Sequence, residues 1–285
     1  MGPYTENVDS FMLKQVKEEN KKIIENYTSE RTLRKKYYNM VEDMKGKIRV
    51  FCRIRPVSRT EVAQDQDEAI VVKKIDDFSV TVETSRGQRE FQFDKVFSAA
   101  ASQEDLFHDT HRLIQSALDG YNVCIFAYGQ TGSGKTFTMV GDKEQKNLGI
   151  MPRSFNAIFD FIQENSSKFD FKVSAYMLEL YNDRLQDLFV SPAGEAHAQA
   201  QSHGQARRVE IKRNKKGVVF AQGAETKEAS SAQELYALFQ QACANRHISA
   251  TSESSVPCHG AQFILGPAKW FGLILLLTVS VRGRQ

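Results

Sequence analysis

From about Glu6 to Lys47 the chain has almost no Gly or Pro, and its apolar residues recur at alternating steps of three and four. Leu13, Val16, Ile23, Tyr27, Tyr37, Val41 and Met44 lie on this ladder, and Asn20, Glu30 and Arg34 fill its other rungs. A 3.5-residue period predicts a long helix whose seam pairs with a second helix. A lone amphipathic helix lying on its own domain would give the same pattern. The three polar rungs either set a register or weaken the pairing. Gly46 ends the helix.

After Gly46 the period drops to two. Lys47–Ile54 reads as a strand stopped by Pro56, and Phe78–Thr84 with Glu90–Phe93 reads as a hairpin. Ser102-Gln-Glu-Asp105 is a capping box that opens a helix to about Leu118. Asn122–Tyr128 is a short apolar run suited to a strand buried on both faces. Met151–Glu164 reads as a helix, and Phe169, Phe171, Val173, Ala175 and Met177 alternate along a strand. Ser191–Arg207, rich in Ala, Gln, His and Gly, reads as an irregular loop. Val209–Ile211 and Val218–Ala221 are short strands. Ser231-Ala-Gln-Glu234 caps a further helix, with Leu235, Leu238, Phe239 and Ala242 on one face. Strands interleaved with helices predict an α/β sheet with helices on both sides.

Composition changes this picture at one end only. The chain has 285 residues, 26% of them charged, and a net charge of +3, which excludes disordered, collagenous and disulfide-scaffold classes. A sequence pI of about 8.5 without a basic stripe does not mark a nucleic-acid binder. Cys52, Cys124, Cys243 and Cys258 show no metal or disulfide spacing and read as reduced cytosolic thiols in a chain that shows no signal peptide. From Ser254 onward, however, Asp and Glu disappear and half the residues are apolar. The densest run, Trp270–Val281, falls short of the about 20 residues of a membrane span, so no membrane partner is expected.

The chemistry lies at Gly129-Gln-Thr-Gly-Ser-Gly134-Lys135-Thr136, a full match to GxxxxGK[ST] between an apolar strand and a helical stretch. Glycines let successive backbone N–H groups point at phosphate oxygens, and a helix N-terminus adds partial positive charge. Lys135 would reach the β and γ phosphates of a nucleotide, and the Thr136 hydroxyl would ligate Mg²⁺.

Phe126–Met139 (FAYGQTGSGKTFTM) resembles the phosphate loop of kinesin motor domains. Arg53-Ile-Arg-Pro56 resembles that family's adenine-contacting RxRP segment. Tyr176–Asp183 (YMLELYND), with Asp187 and Leu188 beyond it, resembles the family's long strand and the segment after it, and Asn245–Thr251 resembles the entry to its switch I loop. These segments occur in family order from about Met44 to Thr251. The resemblance implies a P-loop NTPase, kinesin-motor-like α/β sheet flanked by helices, incomplete, with an N-terminal coiled-coil neck. It implies that Gly129, Gln130, Thr131, Gly132, Ser133, Gly134, Lys135 and Thr136 hold ATP and Mg²⁺, that Arg53, Arg55 and Pro56 bracket the adenine, and that Phe137 stacks on it. Lys212, Arg213, Lys215 and Lys216 stand where relatives face tubulin, although a solvated hairpin turn fits them equally. A neck preceding the motor is similar to kinesins with a C-terminal motor, which move toward microtubule minus ends. Tyr37–Gly46 is most similar to their calmodulin-binding members, whose calmodulin helix lies beyond the motor and is not matched here. The resemblance thus implies a microtubule-stimulated ATPase of the cytoplasmic cytoskeleton, dimeric through its neck.

The pattern breaks after Thr251. Ser254 and Ser255 match two catalytic switch I serines, but Val256, Pro257 and Cys258 replace the arginine, serine and histidine that come next in the family, and no DLAGSE segment appears. Pro257 also lacks an amide donor. The abrupt change in composition favours a non-native translation, from a retained intron or a frameshift, over a genuine divergent end. The expected organisation is a neck over 1–45, an ATP-binding region over 46–251 and a hydrophobic tail over 252–285. An incomplete sheet would leave an edge and an apolar face open, giving poor solubility unless the tail docks there. Three readings stand: a motor ATPase, an inactive nucleotide-binding or dimerisation fragment, and an unrelated P-loop ATPase.

Overall fold

A computed structural model describes residues 3–57, 71–130, 132–181, 184–190, 209–215, 217, 219–245, 261–264 and 272–283. The expected loop at 191–207 lies outside the described residues.

Helix α1 (Pro3–Met44) opens with Pro in its first turn, where the missing amide hydrogen costs nothing, and Gly46 at φ 98° ends it. Strand β1 (Phe51–Arg53) is shorter than the alternation from Lys47 suggests. Its parallel partner β5 (Lys95–Phe97) begins only there, while Val50 is held by the Asp94 carboxylate at 2.7 Å. Between them β2 (Val72–Lys74), β3 (Ser79–Thr84) and β4 (Gly87–Gln92) form an antiparallel meander.

The capping box places α2 at Gln103–Leu118, with both reciprocal bonds between Ser102 and Asp105 formed. Strand β6 (Cys124–Phe126) leads into the short α3 (Lys135–Met139), then α4 (Ile150–Asn165) and the 13-residue β7 (Phe169–Tyr181). Strand β8 (Arg184–Asp187) folds back on β7. Strands β9 (Glu210–Arg213) and β10 (Val219–Gln222) form a hairpin, and β11 (Lys227–Ala229) precedes α5 (Ala232–Ala244), which Ser231 caps on Glu234. Two strands close the described chain, β12 (Ala261–Ile264) and β13 (Gly272–Gly283).

The main sheet has the order β11-β7-β13-β12-β6, with β8 on β7. Composition sets the tail apart, but the sheet takes it in. β13 runs antiparallel to β7 from Gly272 opposite Leu180 to Gly283 opposite Phe169, and β12 joins it to β6. This is the docking alternative, and its physical reason is that β7 otherwise offers a long edge of unpaired backbone groups.

Alternation along β7 divides the interior. Val173, Ala175 and Met177 face a core built with Leu106 and Ile114 of α2, Met151, Phe155 and Ile158 of α4, and Leu235 and Phe239 of α5. Leu178 and Tyr176 face the other way, onto Leu185, Val209 and Ala221. Helices α2, α4 and α5 therefore join the core on one face of β7. Strand β6 also departs from expectation: Phe126 is 50% exposed, and among the described residues β6 sits at the end of the strand order with one neighbour.

The neck helix uses two different sides. Lys35 pairs with Asp119 at 3.0 Å, Asn39 donates to the same carboxylate, Tyr38 donates to the Arg112 carbonyl, and Arg31 stacks on Phe169. This docked side is polar. The ladder residues Leu13, Val16, Ile23, Tyr37, Val41 and Met44 stay exposed.

Candidate nucleotide-binding site

The loop after β6 needs glycine at particular places. A methyl group on Gly129 would come within 2.4 Å of Ser133 Oγ, and Gly134, at φ 89°, turns the chain into α3 from a left-handed conformation. The loop closes on itself through Ser133 N–H to the Gln130 carbonyl. Lys135 Nζ donates to the carbonyls of Gly129 and Gln130, at 2.8 and 2.7 Å, so its ammonium lies over the loop's concave side. Ser133 Oγ is buried without a hydrogen-bond partner. A buried orphan hydroxyl inside a ring of glycines, beside a fixed cation, is the donor set an oligophosphate would satisfy. The Thr136 side chain is exposed beside it. Because α3 is a single turn and a half, its dipole adds little, and the cradle rests on backbone amides and Lys135.

Arg53, Arg55, Pro56, Ser133, Lys135 and Phe137 line one cavity of about 370 Å³ with their neighbours. Arg53, which strand alternation alone would leave pointing at solvent, turns inward. Its guanidinium donates to Gln103 Oε1 (2.8 Å), Thr138 Oγ1 (2.9 Å) and the Ala101 carbonyl, and lies 5.3 Å from the Phe137 ring centroid. Burial pushes its pKa down from the ordinary arginine value, and these three acceptors compensate the charge. Phe137 keeps 40% of its surface exposed towards solvent, leaving aromatic surface for a planar ring.

Gly129, Gln130, Gly132 and Gly134 form the loop as the sequence predicts. Thr131, Ser254 and Ser255 lie outside the described residues, as does Lys216. Lys212, Arg213 and Lys215 are exposed on the β9–β10 hairpin, but Lys212 pairs with Glu210 at 3.1 Å and Arg213 donates to the Gly217 carbonyl. Sequence reasoning missed Gln103, Thr138 and Asn147, which complete the wall. The capping box located Gln103 at the helix start but carried no information about where its amide points. Among the described residues no group of His, Cys, Asp or Glu could hold a metal ion, and no helix is long and apolar enough to cross a membrane.

Loop, strand edge and cavity together define a P-loop α/β fold of the motor type, with the sheet incomplete. A microtubule-binding family model matches residues 27–189. The chain belongs to the microtubule-binding kinesin motor family, and its curated relatives are C-terminal-motor kinesins. It is 43% identical over 229 residues to kinesin-like protein KIN-14E of Arabidopsis thaliana, and 43% identical over 227 residues to KIN-14I of Oryza sativa subsp. japonica. Each match covers 79% of this chain and 17% of the relative, so the chain spans about a sixth of the length of the relatives it matches. Among solved structures, the C-terminal motor and motor homology domain of Kar3Vik1 fused to a synthetic heterodimeric coiled coil matches with a TM-score of 0.67 and 26% identity. That match covers 99% of this chain and 73% of the other. The motor domain of the Kar3-like kinesin from Ashbya gossypii matches at 0.55 and 29%, over 69% of this chain and 59% of the other.

Proposed function

We propose that this chain carries the ATP-binding part of a minus-end-directed microtubule motor, dimeric through α1 and associated with the cytoplasmic cytoskeleton. The observation that carries the reading is the cradle of Gly129–Thr136 with its buried, unpartnered Ser133 hydroxyl, next to the Arg53–Phe137 wall. Lys135 would exchange two loop carbonyls for β and γ phosphate oxygens. Thr136 would hold Mg²⁺, which when bound neutralises charge developing between the β and γ phosphates. Arg53, Arg55, Pro56 and Phe137 would orient the base. Ser254 and Ser255 would face the γ phosphate. Lys212, Arg213, Lys215 and Lys216 suit an acidic filament such as tubulin.

Val256 and Pro257, at positions of the switch I arginine and serine, favour a second reading, in which the chain binds nucleotide without turning it over. An ATPase assay of the 285-residue chain with and without microtubules separates the two. Microtubule-stimulated turnover that Lys135→Ala abolishes supports the motor. Tight binding of fluorescent mant-ADP with no stimulated turnover supports the fragment, and no nucleotide binding at all overturns both.

A further inference from the structure

Gln103 is a polar side chain in an unusual place. It is the first residue of α2 and only 5% exposed, yet both ends of its amide are used across three other segments. Oε1 accepts from Arg53 Nη1 of β1 at 2.8 Å. Nε2 donates to the Phe137 carbonyl of α3 at 2.6 Å, and to the Asn147 carbonyl at 3.4 Å. The Phe137 carbonyl needs an outside donor for a simple reason. In a continuing helix it would accept from the amide of Gly141, but α3 stops at Met139 and that amide bonds to Thr136 instead. Gln103 thus satisfies an orphan helix carbonyl and, through the other end of one rigid amide, fixes the guanidinium that lies over the same residue's ring.

We propose that Gln103 is a positioning residue for the purine base, locking the Phe137 ring and the Arg53 guanidinium into one flat wall of the cavity. The inference rests on the nucleotide reading above and deepens it. The phosphate cradle does not depend on this contact: its glycine turns, the Lys135 bonds to Gly129 and Gln130, and Ser133 involve none of the Gln103 partners. Losing the amide should therefore loosen recognition of the base and spare recognition of the phosphates.

The test measures binding of mant-ADP to the full 285-residue chain, with ADP, GDP and inorganic tripolyphosphate as competitors. Gln103→Leu should weaken ADP about tenfold, the scale of one or two lost hydrogen bonds, and shrink the ADP-over-GDP preference. Tripolyphosphate affinity should stay within about twofold, on the ordinary scatter of substitutions away from a site. Gln103→Glu keeps the acceptor for Arg53 and loses the donor to Phe137, so it should fall between the unaltered chain and Gln103→Leu; it decides the matter if Gln103→Leu fails to fold by circular dichroism. Equal losses for ADP and tripolyphosphate would reduce Gln103 to a general structural role and overturn the proposal, as would an unchanged ADP-over-GDP ratio in both variants. If the unaltered chain binds no mant-ADP, the nucleotide reading fails first, and this inference fails with it.

Discussion

Gly149 shows how much a single hydrogen can decide. Its backbone is ordinary, at φ −78°, so no conformational freedom is needed there. What it needs is space: a methyl group would lie 2.5 Å from the Met139 carbonyl carbon and 2.6 Å from the Val140 nitrogen, and these backbone atoms cannot step aside. The contact joins the start of α4 to the end of α3, where Gly149 N–H bonds the Val140 carbonyl. Gly149→Ala should destabilise the chain by about 1–3 kcal/mol, the usual cost of overpacking, read as a lower thermal midpoint. Residue identity alone makes the loop of Gly129, Gly134, Lys135 and Thr136 legible in the sequence, because the phosphate cradle proposed for it demands those types at that spacing. Gly149 and Gln103 were not legible, because their roles depend on segments distant in the chain.

At the scale of elements, caps were legible and several of the shortest strands were not. Ser102 and Ser231 start their helices where the sequence places them, since a capping bond is local. Strands β2, β5 and β11 have three residues each, too few to establish a period. The joint between neck and motor illustrates a different local device. Glu42, in the last turns of α1, accepts from Lys45 at 2.6 Å and from Arg49 at 2.8 Å, so it ties the helix to the segment leading into β1. Burial raises its carboxyl pKa, but those hydrogen bonds outweigh burial and hold it below the ordinary glutamate value of 4.5. A carboxyl depressed by folding contributes its stability above that ordinary value and loses it as pH falls toward the folded one. Glu42→Gln should therefore lower the urea midpoint at pH 7, and the difference from the unaltered chain should shrink as the pH is taken below about 4.5.

For the whole molecule, the seam and the docked side of α1 overlap at Tyr27, whose ring and hydroxyl meet Lys168, and at Glu30 and Arg34, which line a cavity with Gln115 and Asp119. Pairing with a second copy and docking on the motor are compatible over most of the helix. On the proposed dimer, Ile23→Asp, at a rung 63% exposed, should give monomers in sedimentation where the unaltered chain gives dimers, while leaving the thermal midpoint of the motor unchanged. Lys35→Glu, facing the nearly buried Asp119, should do the reverse and loosen the neck from the motor without dissociating dimers.

The position of β13 has a consequence for how the chain reaches this structure. The last described strand in sequence is an interior strand in space, between β7 and β12. On a ribosome, β7 emerges about a hundred residues before its principal partner, and it must wait with an open edge until Gly272–Gly283 leaves the exit tunnel. Closing a loop of that length before any pairing energy is gained slows folding, and an open apolar edge invites other chains meanwhile. Assembly of this sheet thus waits on Gly272–Gly283, and refolding should show a slow phase whose yield falls as protein concentration rises, measurable by recovery of near-ultraviolet circular dichroism after dilution from urea.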